Sequence, residues 1–181
     1  MRAAVIAAFR GIFITIRILA IGALVVATCA GSVAATADER SQGMKVQQAR
    51  QVIIRYFEEV WNQGRLDVLD ELMTLDYVNH SPSVPNPRPG PEDLKPIVRA
   101  MRDGIPDLHY RILDMVVTAD KVAVYLRVTG THRGTLFGVA PTGRRIDVRQ
   151  MQIEWIREGR IWQHWRITDE LALMRQLGVV P

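Results

Sequence analysis

The stretch from Arg145 to Asp169 reads RIDVRQMQIEWIREGRIWQHWRITD. Two runs rich in β-branched and aromatic residues, Arg145 to Arg157 and Arg160 to Thr168, flank Glu158-Gly159, a two-residue turn signal. The stretch is therefore a β-hairpin. In its first arm Ile146 and Val148 share one face, but Met151, Ile153 and Trp155 share the other. Such a change of parity predicts a β-bulge, which bends a strand and re-aims its side chains. In the second arm Ile161, Gln163, Trp165, Ile167 and Asp169 alternate with Trp162, His164, Arg166 and Thr168. The first set is the more apolar. It is expected to face the core, with Trp165, Ile167 and Asp169 inward and His164 outward.

A second hairpin lies upstream. Leu108 to Thr118 and Val122 to Thr129 flank Ala119-Asp120-Lys121, and Val122, Val124, Leu126 and Val128 alternate with Ala123, Tyr125, Arg127 and Thr129. A loop from Thr131 to Arg144, with Gly134, Gly138, Pro141 and Gly143, joins the two hairpins. A short helix from Glu170 to Leu177 closes the chain.

The front of the chain is helical. Val46, Ala49, Ile53, Phe57 and Val60 fall at helical spacing, with Arg50, Arg55, Glu58 and Glu59 toward water. Gly64 suits the left-handed residue that ends such a helix. Leu66, Leu69, Leu72 and Met73 mark a second, short helix, and Tyr77 to His80 a short extended piece. Ser81 to Gly90 holds Pro82, Pro85, Pro87 and Pro89 and is a loop. A third helix is predicted from Pro91 to about Arg102, kinked at Pro96 and stopped by Ile105-Pro106. Helices followed by strands, without alternation, give an α+β fold with a mostly antiparallel sheet. A curved sheet wrapped around three N-terminal helices makes a cone, whose open end is a natural small-molecule pocket.

The first 37 residues carry Arg2, Arg10 and Arg17, no acidic residue, an apolar run from Ile18 to about Ala30, and Ala35-Thr36-Ala37 before Asp38. That order predicts a signal peptide over residues 1–37, or a membrane anchor if it is kept. Residues 38–45 read as a flexible link and 46–181 as the domain. The location expected is exported, periplasmic or secreted. Cys29, the one cysteine, lies in this leader. A chain cut after Ala37 has no disulfide, thiolate metal site or cysteine nucleophile. Without the leader's three arginines, 20 basic residues face 19 acidic ones, which gives no argument for nucleic-acid binding.

The ordered motifs resemble a known family, the SnoaL-like polyketide cyclases of the ketosteroid isomerase and nuclear transport factor superfamily. They begin with Tyr56-Phe57-Glu58-Glu59-Val60-Trp61-Asn62, Tyr77-Val78-Asn79-His80-Ser81-Pro82 and Gly90-Pro91-Glu92. Next come Ile105-Pro106-Asp107-Leu108, Val128-Thr129-Gly130-Thr131-His132-Arg133-Gly134 and Pro141-Thr142-Gly143-Arg144. Gly159-Arg160-Ile161, His164-Trp165 and Asp169-Glu170-Leu171 complete the series. The resemblance implies a cone-shaped α+β barrel, a homodimer, and no metal or organic cofactor. It also implies ring closure of a polyketide-like substrate by intramolecular aldol condensation, with a pocket carboxylate as acid and base. Relatives carry an acid directly after His-Trp, where this chain has Arg166.

One desolvated carboxylate can take a proton from an activated carbon and return one to the alkoxide. Asp169 is the first candidate, and it equally suits the N-cap of the closing helix. His164 is named by the family pattern, and His80 by its place before the proline-rich loop. Gln150 and Gln152 share a face and can bond a substrate carbonyl. Trp61, Tyr77, Met101, Trp155, Trp165 and Arg166 complete the candidate binding set, for a small apolar or aromatic molecule. Four histidines without paired spacing give no zinc pattern, and no phosphate-loop or nucleotide fingerprint is present. The competing function is a non-catalytic carrier with the same pocket, favoured by Arg166 and by export.

Overall fold

The computed structural model describes residues 36–81 and 88–181. Most of the leader, and with it the cleavage question, lies outside the described residues, as do Pro82, Pro85 and Pro87. The chain divides into two units, Met1–Gly43 and Met44–Pro181. In the first, residues 36–43 are helical. The segment 38–45 is thus helix where a flexible link was expected. Glu39, Arg40, Gln42 and Lys45 are good helix formers, and only Gly43 opposes them. No helix among the described residues is long and apolar enough to cross a membrane.

The second unit opens on α1, residues 44–55, which buries Ala49, Val52 and Ile53 and runs into a π-helical turn at Tyr56–Asn62. The wider turn brings Tyr56, Phe57, Val60 and Trp61 all into the core. Gly64 then takes φ 76°, as its place in the sequence predicts. Arg102 ties this helix end down by donating to the carbonyls of Trp61 and Asn62 at 2.8 and 2.6 Å. The Asn62 amide in turn accepts from Tyr110 N at 2.7 Å and donates to Tyr110 O at 3.0 Å.

After α2 (Val68–Leu72) comes β1 (Met73–Asn79). A single 3₁₀ turn, Pro91–Asp93, precedes α3 (Lys95–Gly104). Pro96 therefore kinks no long helix. It sits in the first turn of α3, where its missing N–H costs nothing. Four strands follow: β2 (His109–Val117), β3 (Lys121–Thr131), β4 (Arg145–Arg157) and β5 (Arg160–Thr168), closed by α4 (Glu170–Leu177). The five-stranded sheet runs β1-β5-β4-β3-β2, antiparallel except that β1 lies parallel to β5. The architecture is the α+β cone, its core formed by the inner sheet face and the helices.

Candidate active site

The inner face of the sheet departs from the parity read in the sequence. Buried positions along β4 are Ile146, Val148, Gln150, Gln152, Glu154 and Ile156, in unbroken alternation. No bulge interrupts β4 against β3, because pairing is one for one from Lys121↔Trp155 to Thr131↔Arg145. Met151 and Ile153 consequently face out, 55% and 45% exposed. A continuous ladder fixes register whatever the polarity of the side chains it turns inward. The bulge lies instead in β5, where Ile156↔Ile161 and Trp155↔Gln163 leave Trp162 without an opposite residue. One extra residue reverses the parity beyond it. His164 now lies beside Glu154, Arg166 beside Gln152 and Thr168 beside Gln150, all on the inner face. Ile167, expected inside, is 79% exposed.

A cavity of about 250 Å³ opens at one end of the cone. Its wall is mostly apolar, with Trp61, Ile97, Met101, Tyr110, Val148 and Leu136 deep and Phe137, Leu173 and Met174 toward the mouth. Gln150, Arg166, Thr168 and Glu170 are its polar lining. A smaller recess of about 10 Å³ shares Trp61, Ile97, Tyr110, Gln150 and Arg166 and adds Tyr56, Asn79, Gln152 and His164. The two adjoin as a shaft, mostly apolar in the cavity, with exposed Glu170 in its lining, and more polar at the floor.

At the floor His164 Nδ1 lies 2.8 Å from Glu154 Oε1, with both side chains buried. An Nδ1–H donated in this contact leaves the lone pair on Nε2. Glu154 Oε2, Gln150 Oε1, Gln152 Oε1 and Trp61 Nε1 are buried without a hydrogen-bonding partner in the protein. Buried polar groups are normally paired, so a cluster of unpaired ones makes this floor a candidate site. Gln150 is oriented by its Nε2, which donates to Thr168 Oγ1 at 3.0 Å. Burial pushes the Tyr110 phenol up to about 12, with Arg166 opposing. Burial, reinforced by the charge of Glu154, also holds Tyr56 well above its ordinary range. Tyr77 rises through burial, then through Tyr56 and Glu154. All three are neutral phenols near pH 7 and serve as hydrogen-bonding groups, not bases.

Of the residues named from the sequence, the cavity and recess gather Trp61, Met101, Gln150, Gln152, His164 and Arg166. Tyr77 is buried at the inner face but lines neither. Asp169 is not inward. It is exposed and caps α4, its Oδ1 accepting from Ala172 N at 3.0 Å. The bulge at Trp162 carries it past the sheet and into the helix-capping position. His80 is exposed and stacks on Trp165, ring centres 4.1 Å apart, away from the cavity. Trp165 packs on Trp155 at 5.8 Å, and Trp155 on Trp162 at 5.9 Å. This cluster leaves Trp155 and Trp165 off the pocket wall, because β4 is regular and β5 is bulged. Glu154 was missed from the sequence. Its signal was the continued alternation Ile146, Val148, Gln150, Gln152, Glu154. Among the described residues no three of His, Cys, Asp or Glu gather as a metal site.

The family model described as SnoaL-like polyketide cyclase matches residues 51–177. The chain is 30% identical over 128 residues to aklanonic acid methyl ester cyclase of Streptomyces peucetius, covering 70% of this chain and 88% of that protein. It is 30% identical over 120 residues to nogalonic acid methyl ester cyclase of Streptomyces nogalater, covering 65% and 89%. Among solved structures, TsrD of Streptomyces laurentii superposes with a TM-score of 0.68 at 28% identity, over 74% of this chain and 97% of that one.

Proposed function

The chain belongs to the SnoaL-like polyketide cyclase family, and on that premise we propose that it is an exported, cofactor-free acid/base enzyme acting on a small cyclic or polyketide-like carbonyl compound. One observation carries the reading: the buried His164–Glu154 pair, whose His164 lines the polar floor of a mostly apolar shaft. Glu154 orients the ring by accepting at Nδ1, which reserves Nε2 for the substrate. His164 Nε2 takes a proton from the carbon next to the substrate carbonyl. Arg166, which lines both cavity and recess, stabilises the enolate oxygen. The enolate carbon attacks a second carbonyl of the same molecule, one C–C bond forms, and the alkoxide receives the proton from His164. Product and substrate are isomers, so no other reactant is needed. The acid/base role thus moves from Asp169 to the inner sheet face. Met151, Ile153 and Ile167, exposed on the outer face, support the homodimer that the resemblance implies.

The test offers nogalonic and aklanonic acid methyl esters, and a cyclic 1,3-diketone in D₂O, to the purified protein. Product formation or deuterium uptake at the activated carbon is followed. Wild type is expected to accelerate one of these, and His164→Asn and Glu154→Gln to lose about 100-fold or more while keeping their circular dichroism. A second reading, carriage of an apolar ligand without conversion, is favoured by Arg166 standing where relatives hold an acid. Saturable binding with neither product nor exchange selects it.

A further inference from the structure

The loop between β3 and β4 ends over the cavity in a tight turn. Leu136 N donates to Val139 O at 3.0 Å, and Val139 N to Leu136 O at 2.9 Å. The two residues between them, Phe137 and Gly138, have φ of 48° and 82°. Both central residues of such a turn need positive φ, which suits Asn-Gly and penalises a side chain branched into a ring. Phe137 is also 60% exposed. Its backbone is strained and its side chain is left in water, so neither local conformation nor core packing accounts for a phenylalanine here. Glu158, the other non-glycine residue at positive φ among the described residues, turns a hairpin with a charged side chain, as an exposed turn allows.

What distinguishes Phe137 is its position. It lines the cavity, as does partly exposed Met174, while Leu136 beside it is buried and anchors the turn. A β-carbon placed on Gly104 would come within 3.0 Å of Leu136 Cβ, so the anchor is tightly seated. The turn therefore holds one flat apolar ring at the rim of a shaft where exposed Glu170 also lines the cavity, while Gln150, Gln152 and His164 are buried deeper. Resting on the reading of this shaft as a ligand site, we propose that Phe137 is a specificity-determining residue that selects a planar, conjugated ring by stacking on the outer part of the ligand. A saturated ring of the same skeleton reaches the same floor but gains no stacking.

The experiment uses 2-naphthol and trans-decahydro-2-naphthol as probes, with binding to the full chain measured by calorimetry. Wild type is expected to prefer 2-naphthol. Phe137→Asn is expected to melt about 2–4 °C higher, because Asn-Gly fits the turn. The same variant should bind 2-naphthol about fivefold more weakly and the decahydro compound within about twofold of wild type. Phe137→Leu, apolar but without a ring, should lose the same preference. Equal losses for both probes, or an unchanged preference in both variants, overturn the proposal while leaving the ligand site standing. Failure of wild type to bind either probe overturns the site and this inference together.

Discussion

The inner face of the sheet buries Gln150, Gln152, Glu154 and His164, while the outer face leaves Met151, Ile153 and Ile167 in water. An ordinary half-buried sheet is built the other way round. The inversion runs along single strands: β4 alternates a buried polar residue with an exposed apolar one from Gln150 to Glu154. Each buried acceptor without a partner costs about 1–3 kcal/mol, and a large apolar side chain left out of the core forgoes about 1.5–3 kcal/mol at full burial. Folding alone supplies no reason for either. On the proposed reading the inner face serves a ligand and the outer face a cover, and three sets of substitutions can break that contrast.

The largest effect is expected at the floor. His164→Leu leaves Glu154 buried and alone, which should lower stability by about 3–5 kcal/mol in urea unfolding. The double variant Glu154→Leu/His164→Leu should recover that loss or exceed wild type, since an apolar pair of similar volume leaves no buried polar group unpaired. Turnover should be absent in both. If the double variant is as unstable as the single one, the pair is part of the scaffold, and the functional reading of the inner face loses its main support.

A smaller effect is expected outside. If a second copy covers the outer face, Ile153→Glu/Ile167→Glu should weaken self-association by about 100-fold or more in sedimentation equilibrium, with the monomer folded. Both positions point away from the cavity, so the far-UV spectrum should not change. Wild type that sediments as a monomer at high micromolar concentration would end the homodimer and require another cover. The aromatic cluster at this face has Lys121 Nζ 4.0 Å above Trp155 and Arg157 4.7 Å above Trp162. These contacts keep that edge of the face partly polar.

These contrasts also show what the sequence could and could not say. The helical stripe from Ala49 to Val60, the left-handed Gly64 and the Glu158-Gly159 turn are local signals, and each stands where it was read. So do both hairpins and the order of helices before strands. Inward and outward were legible on β3 but not from Gln150 to Glu154 of β4 or beyond Trp162 of β5, because polarity is a proxy for burial and there the proxy is reversed. The parity change at Met151 was real in the letters and absent in the backbone, where eleven-residue β3 holds β4 in register throughout. The bulge at Trp162 left no mark in composition. It is visible only against Trp155 and Ile156, across the turn. β1 joins the sheet by parallel pairing of Met73 with Ile161, a contact no local pattern encodes.

The smallest expected effect falls where the sheet hands over to α4. Asp169 has no role on either face, because the bulge places it one step beyond the strand as a cap. Asp169→Ala should therefore cost about 1 kcal/mol of stability through the lost bond to Ala172 N. That corresponds to a fall of about 3 °C in melting temperature. Turnover per folded molecule should stay within about twofold of wild type. Asp169→Asn should keep most of the cap, since asparagine ranks with aspartate there. If Asp169 were the catalyst, Asp169→Asn would melt near-normally all the same but lose turnover. That result would return the acid/base role to the end of β5 and leave the His164–Glu154 pair as support for it.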